Sequence, residues 1–163
     1  MEKFVLKSSD NVSFEVEEAV VRQCKMLFPM VQDCAGRVCP IKNVTGEILE
    51  KVVEYCKKHV VVVHGGDSSS SSNSSSGDDL KKWDAEFISK MDLSTVHDLI
   101  KAVDYLDIKG LFDLTCQRFA DEIRACKGPE EMREKFNIEN DFTAEEEGEI
   151  RRKNAWAFDE REG

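Results

Sequence analysis

The sequence predicts an α+β fold, with a small sheet near the N-terminus followed by helices. Three observations predict it. The stretch up to Glu17 carries two short runs of alternating apolar residues, the period of a strand with one buried face. Most of the remainder repeats its apolar residues at intervals of three and four, the period of a helix. Between residues 65 and 79 the composition changes abruptly to Gly, Ser, Asn and Asp, which interrupts the helical pattern. At 163 residues, 40% hydrophobic and 8% aromatic, the chain has room for one domain, or for one domain with a helical appendage, and enough apolar side chains for a core.

The opening KFVLKSSDNVSFEVE puts Phe4 and Leu6 on one run and Val12, Phe14 and Val16 on the next, with Ser8, Ser9, Asp10 and Asn11 as turn formers between them. That is the pattern of a β-hairpin. From Glu17 onward Val20, Cys24, Leu27, Phe28 and Val31 follow helical spacing. Pro29 inside this stretch predicts a break or a short first turn, so two short helices are expected. VCPIKNVT reads as a brief extended segment, in which Pro40 suits an edge strand or a strand start. Thr45 then caps a helix with the stripe Ile48, Leu49, Val52, Val53 and Cys56. Residues 65–79 have nothing apolar to bury and should form a flexible, solvated loop. Asp79 is the candidate cap for a helix carrying Leu80, Trp83 and Phe87; the next helix carries Val96, Leu99, Ile100, Val103 and Leu106, and Gly110 is expected to end it.

LFDLTCQRFADEIRAC is apolar on more than one side. Phe112, Cys116, Phe119 and Ile123 form one face, and Leu111, Leu114 and Thr115 widen it to a second. A helix with two apolar faces needs two things to pack against, and one of them need not belong to this chain. Gly128 and Pro129 close the compact part; Pro129 suits the first turn of a new helix led by Glu130 and Glu131, with Met132 and Phe136 on one side. The last segment opens with a capping box, Thr143 and Glu146, and Gly148 within it costs about 1 kcal/mol relative to alanine.

A formal net charge of −10 and a pI near 4.9 repel nucleic acid, and residues from Pro129 onward contribute twelve acids against six bases. A protein partner with basic features fits that field better. No apolar run approaches the length of a membrane span, and MEKFVLKSSD lacks the grammar of a signal peptide, so residence in cytosol or nucleus is expected. In such a compartment the cysteines at 24, 34, 39, 56, 116 and 126 stay reduced. Cys34 and Cys39 lack a second pair of ligands at zinc spacing; the thiols read as buried or surface groups, and neither metal nor cofactor is expected.

No catalytic grouping emerges. His59 closes a basic helix end, His64 borders the Ser-rich stretch, and His97 lies on the polar side of its helix. None stands beside a nucleophile and an acid, and Gly65-Gly66 runs into serines, not into the lysine and helix of a phosphate loop. The tail RRKNAWAF is the unusual feature: no single helical stripe collects Ile150, Trp156 and Phe158. Two readings stand open. The tail either folds back over its own domain's second apolar face, or it is an arm whose aromatics anchor a partner.

Six blocks stand in an order shared with one family: VLKSSDNVSFEVEEAV, NVTGEILEKVVEYCKKH, DDLKKWDAEF, DYLDIKGLFDLTCQ, GPEEMREKFNIENDFTAEEE and RRKNAWAF. On these the chain resembles the S-phase kinase-associated (Skp) adaptors, which connect F-box proteins to a cullin in SCF ubiquitin ligases, and it looks like a divergent plant paralogue. The resemblance implies a BTB/POZ fold over residues 1–127, a small mixed sheet flanked by helices, with the Ser-rich loop at 65–79. A C-terminal two-helix extension, 128–163, would follow. It further implies a non-catalytic adaptor in nucleus and cytoplasm whose partners are F-box proteins and a cullin, with no nucleic acid, membrane or small-molecule substrate. Carried over by position, the F-box-binding residues are Leu111, Leu114, Cys116, Ile123, Phe136, Ile138, Phe142, Ile150, Asn154, Trp156 and Phe158; the cullin-binding residues are Asp104 and Tyr105.

Four departures from the family pattern bear on this. Asp104 replaces a usual Asn, Ala155 a usual Gln and Lys42 a usual Pro, while Pro29 interrupts a helix that the family keeps whole. Pro29 and Asp104 lie on or near the implied cullin side, which raises the alternative of an F-box-binding paralogue with weakened cullin binding, acting as a scaffold or sequestering subunit. A BTB protein of the elongin C kind is a more distant alternative, since that relative lacks the C-terminal extension.

Overall fold

A computed structural model describes residues 3–33, 37–64 and 74–157, with the side chains of 33, 61–64 and 74–76 excepted. Strands β1 (Lys3–Lys7) and β2 (Ser13–Glu17) form the expected antiparallel hairpin, with Phe4 opposite Val16 and Leu6 opposite Phe14. Its turn is fastened from two sides. Asn11 takes a left-handed conformation, Ser9 N–H donates to the Val44 carbonyl at 2.9 Å, and Gly46 N–H donates to Asp10 Oδ1 at 2.8 Å. Gly46 has to be small here, since a Cβ would stand 2.7 Å from Val12 Cγ2. Strand β3 (Val38–Pro40) runs parallel to β1 on its other side, giving the order β2-β1-β3. Pro40 therefore lies in an edge strand, where a missing N–H costs no ladder bond.

Helices α1 (Glu18–Val21) and α2 (Leu27–Asp33) replace one long helix, with Pro29 in the first turn of α2, where its absent donor is tolerated. Helix α3 (Gly46–His64) starts behind Thr45, whose carbonyl accepts from Leu49 N–H at 2.9 Å. The Ser-rich expectation needs a correction. Helix α4 (Ser74–Ser89) begins five positions before Asp79, so 74–79 belong to a helix; 65–73 lie outside the described residues. The propagating helix carries Ser, Gly and Asp through its first turns although none of them favours it.

A second correction concerns Gly110. Helix α5 (Leu93–Leu106) ends at Asp107, which adopts the left-handed conformation and donates its N–H to the Val103 and Asp104 carbonyls. Gly110 lies instead inside α6 (Lys109–Ala125), where a Cβ would meet Tyr55 Oη at 2.7 Å. The glycine serves close approach to a side chain, not chain reversal.

Two compact units are present, residues 1–119 and 120–163, with the division inside α6. The first holds the core: side chains from β1, β2, α1 to α6 and the segment around Cys39 and Ile41 form one cluster ending at Leu111. Alongside it α3 and α4 share an aromatic group. Tyr55 stacks on His59 at 3.8 Å and Trp83 on Phe87 at 4.8 Å between ring centroids. His59 Nδ1 lies 2.9 Å from the Tyr55 carbonyl, and Nε2 lies 3.4 Å from Asp84 Oδ1.

Candidate partner-binding surfaces

In the first unit, α6 presents its residues in two ways. Leu111 is 0% exposed and Thr115 is buried with its hydroxyl donating to the Leu111 and Phe112 carbonyls, so this stripe faces the core. Leu111, expected at the F-box contact, is fully buried as part of the core cluster. Phe112, Leu114, Cys116 and Phe119 are half-buried, with Phe119 6.3 Å from the His97 ring. The widened apolar face therefore resolves into a buried stripe, Leu111 and Thr115, flanked on one side by half-buried Phe112, Cys116 and Phe119 and on the other by Leu114.

Asp104 and Tyr105 sit in the last turn of α5. Asp104 is exposed, whereas Tyr105 is half-buried and packs against the core. Chain from the α1–α2 connection runs beside this helix end. Met26 N–H reaches the Leu106 carbonyl at 3.5 Å and Lys25 lies 3.8 Å from Asp107. Arg22 stacks over Phe28 at 4.6 Å while pairing with Glu18.

The second unit is built from α7 (Pro129–Phe136), α8 (Ala144–Lys153) and a short 3-10 turn, Ala155–Ala157. Pro129 stands at the start of α7 and Asn137 ends it in the left-handed conformation. The capping box is complete: Thr143 Oγ1 accepts from Glu146 N–H at 3.3 Å, and Glu146 Oε2 accepts from Thr143 N–H at 2.9 Å. The bond from Thr143 N–H, and a second from its hydroxyl at 2.9 Å, hold the Glu146 carboxyl below its usual range.

What ties α7 to α8 is charge. Arg133 donates to Glu147 at 3.2 Å, Arg151 lies 3.6 Å from the same carboxylate, and Arg151 also pairs with Glu130. Arg133, first, and then Asn140 and Arg151 draw the Glu147 carboxyl below its usual range. Neither helix buries a single side chain. The apolar groups stand in water instead: Ile123 is 42%, Ile138 56%, Phe142 48%, Ile150 41% and Trp156 75% exposed. Phe136 is half-buried, Asn154 uses its amide on the Ile150 carbonyl at 2.9 Å, and Phe158 lies outside the described residues.

Sequence reasoning missed the ion-pair network. Glu147 and Arg151 at i, i+4 are readable from spacing, but Arg133 and Glu130 come from another helix and carry no local signal.

Family models described as "Skp1 family, tetramerisation domain", a POZ-type domain, and "Skp1 family, dimerisation domain" match residues 2–61 and 109–157. The chain belongs to the Skp1 family. Among its Skp1-family relatives, SKP1-like protein 1A of Arabidopsis thaliana is 52% identical over 158 residues, covering 96% of this chain and 98% of that one. SKP1-like protein 1 of Oryza sativa subsp. japonica is 57% identical over 164 residues, covering 94% of each. The three-stranded mixed sheet with its surrounding helices is the α+β, POZ-type fold of the family.

Proposed function

We propose that this chain is a non-catalytic adaptor of an SCF-type ubiquitin ligase, bridging F-box substrate receptors to a cullin in nucleus and cytoplasm. One observation carries the reading. Ile138, Phe142, Ile150 and Trp156 stand exposed on a unit whose two helices bury nothing, which is the arrangement of a surface awaiting an apolar partner. The F-box protein takes these residues together with Leu114, Cys116 and Ile123 of α6. The cullin takes the end of α5, through Asp104 and Tyr105.

Co-purification with an F-box peptide tests the first contact. The wild type should retain the peptide and the Trp156→Ala/Phe158→Ala variant should lose at least tenfold in affinity, on the order of 1.4 kcal/mol or more. Equal recovery by both proteins, or by neither, overturns the assignment.

A second reading rests on Asp104. An exposed carboxylate stands where the family usually has an amide, and Pro29 lies in the first turn of a separate α2, so cullin affinity is lowered and the chain acts as a scaffold or sequestering subunit. Titration of a cullin N-terminal domain decides it: Asp104→Asn should bind more tightly than wild type, and tight wild-type binding removes this option.

A further inference from the structure

Cys24 lies in the turn after α1, and Cys56 lies in the third turn of α3; their sulfurs are 3.9 Å apart, and both side chains are buried. A disulfide needs about 2.05 Å, so each sulfur has to move about 0.9 Å, a small rotation about its own Cα–Cβ bond. The geometry points to Cys24 and Cys56 as a latent disulfide, a dithiol that peroxide closes and that then fastens the α1–α2 segment to α3.

Access sets the rate. The hydrogen bond with Cys56 and burial hold the Cys24 thiol far above its ordinary range, and both side chains are buried away from peroxide. Oxidation therefore proceeds from an opened form. Helix α1 has only four residues, too few to persist alone, but Val21 and Leu27 on either side of Cys24 are fully buried, which makes opening infrequent. In the opened form a thiolate attacks hydrogen peroxide, breaking its O–O bond to give a sulfenic acid, with hydroxide released and protonated to water. On reclosing, the neighbouring thiol attacks that sulfur; the S–O bond breaks, a second water leaves, and the S–S bond forms. Two thiols are oxidised by two electrons and one peroxide is reduced to two waters.

The bond would join residues 32 positions apart and would pin the chain that meets the end of α5 through Met26 and Lys25. The experiment treats the full chain with hydrogen peroxide, with and without sub-denaturing urea, and maps non-reduced tryptic peptides. Expected is Gln23–Lys25 linked to Val52–Lys57, forming more slowly than half-buried Cys116 oxidises, faster in urea, and raising the thermal midpoint by several degrees until dithiothreitol reverses it. Cys24→Ser should lose the linked peptide and the rise; Cys24→Ala serves the same purpose if the serine variant folds poorly. The proposal is overturned if either thiol links to a different cysteine, if both survive unoxidised in urea, or if the linked protein melts no higher than the reduced one.

Discussion

Gly110 and Asp84 each sit against the aromatic group of α3 and α4, and each makes a separate demand on it. In an exposed helix interior glycine costs about 1 kcal/mol relative to alanine, so Gly110→Ala would ordinarily stabilise. Here the new Cβ would stand 2.7 Å from Tyr55 Oη, and Tyr55 cannot swing away because it is buried and stacked on His59. Gly110→Ala should therefore lower the urea midpoint. The same change in a Tyr55→Phe background, where the hydroxyl is gone, should instead stabilise relative to Tyr55→Phe alone, by less than the helix-interior figure of about 1 kcal/mol because Gly110 stands in the first turn of α6. Asp84 raises a question of protons. His59 Nδ1 donates to a carbonyl, so a hydrogen bond between Nε2 and Asp84 requires one further proton, on the imidazole or on the carboxyl. Burial pushes the Asp84 carboxyl above its usual range, and His59 pulls it back only in part. An acid whose folded pKa is raised loses stability as pH rises through that value. Asp84→Asn keeps a donor for Nε2 without the charge, so its melting temperature should exceed that of wild type at pH 7, with the gap closing as pH falls towards about 3, below the usual carboxylate range. A gap that is unchanged or widens on acidification would contradict this.

Helix α8 shows how far local chemistry alone can define an element. Its capping box, three acids in the first turn and three bases in the last all favour a helix over 144–153, and all are written in the local sequence. Against them stands Gly148, whose Cβ position has nothing within 4 Å. Gly148→Ala should thus add about 1 kcal/mol of helix stability, and Thr143→Ala should remove about the same by leaving first-turn N–H groups without the cap. Amide exchange across 144–153 reads both: slower in Gly148→Ala, faster in Thr143→Ala. If the reading of the exposed apolar groups as a partner surface holds, neither substitution touches that surface directly. F-box binding should then change only as far as helix α8 is more or less populated.

The whole chain divides into a part whose structure its own apolar pattern specifies and a part held largely by capping and charge. The hairpin and the stripes of α3 and α5 were readable because each buries one face, and burial imprints a period on the sequence, while the split at Pro29 and the edge position of Pro40 were readable from proline's missing N–H. The start of α4 and the end of α5 were not: Ser74 to Asp79 have no helical signature, and Asp107 takes the left-handed position expected of glycine. Among the candidate site residues, exposure was readable for Trp156, which no stripe could absorb, and unreadable for Leu111, because periodicity shows that a residue is apolar but not which neighbour covers it. The core cluster runs from Phe4 to Leu111, wholly within the first unit, whereas in 120–163 Cys126 is the buried hydrophobic side chain among the described residues. Burying apolar area at about 25 cal/mol per Å² is what offsets chain entropy, and the second unit has almost none of it to contribute. A chain ending at Lys127 should therefore unfold cooperatively with a melting temperature within a few degrees of the full protein. The 120–163 peptide alone should show little helix by circular dichroism, less still at high salt, where the Glu130, Arg133, Glu147 and Arg151 network is screened. A stable, salt-insensitive helical peptide would mean that these forty-four residues carry a source of stability other than the one their structure displays.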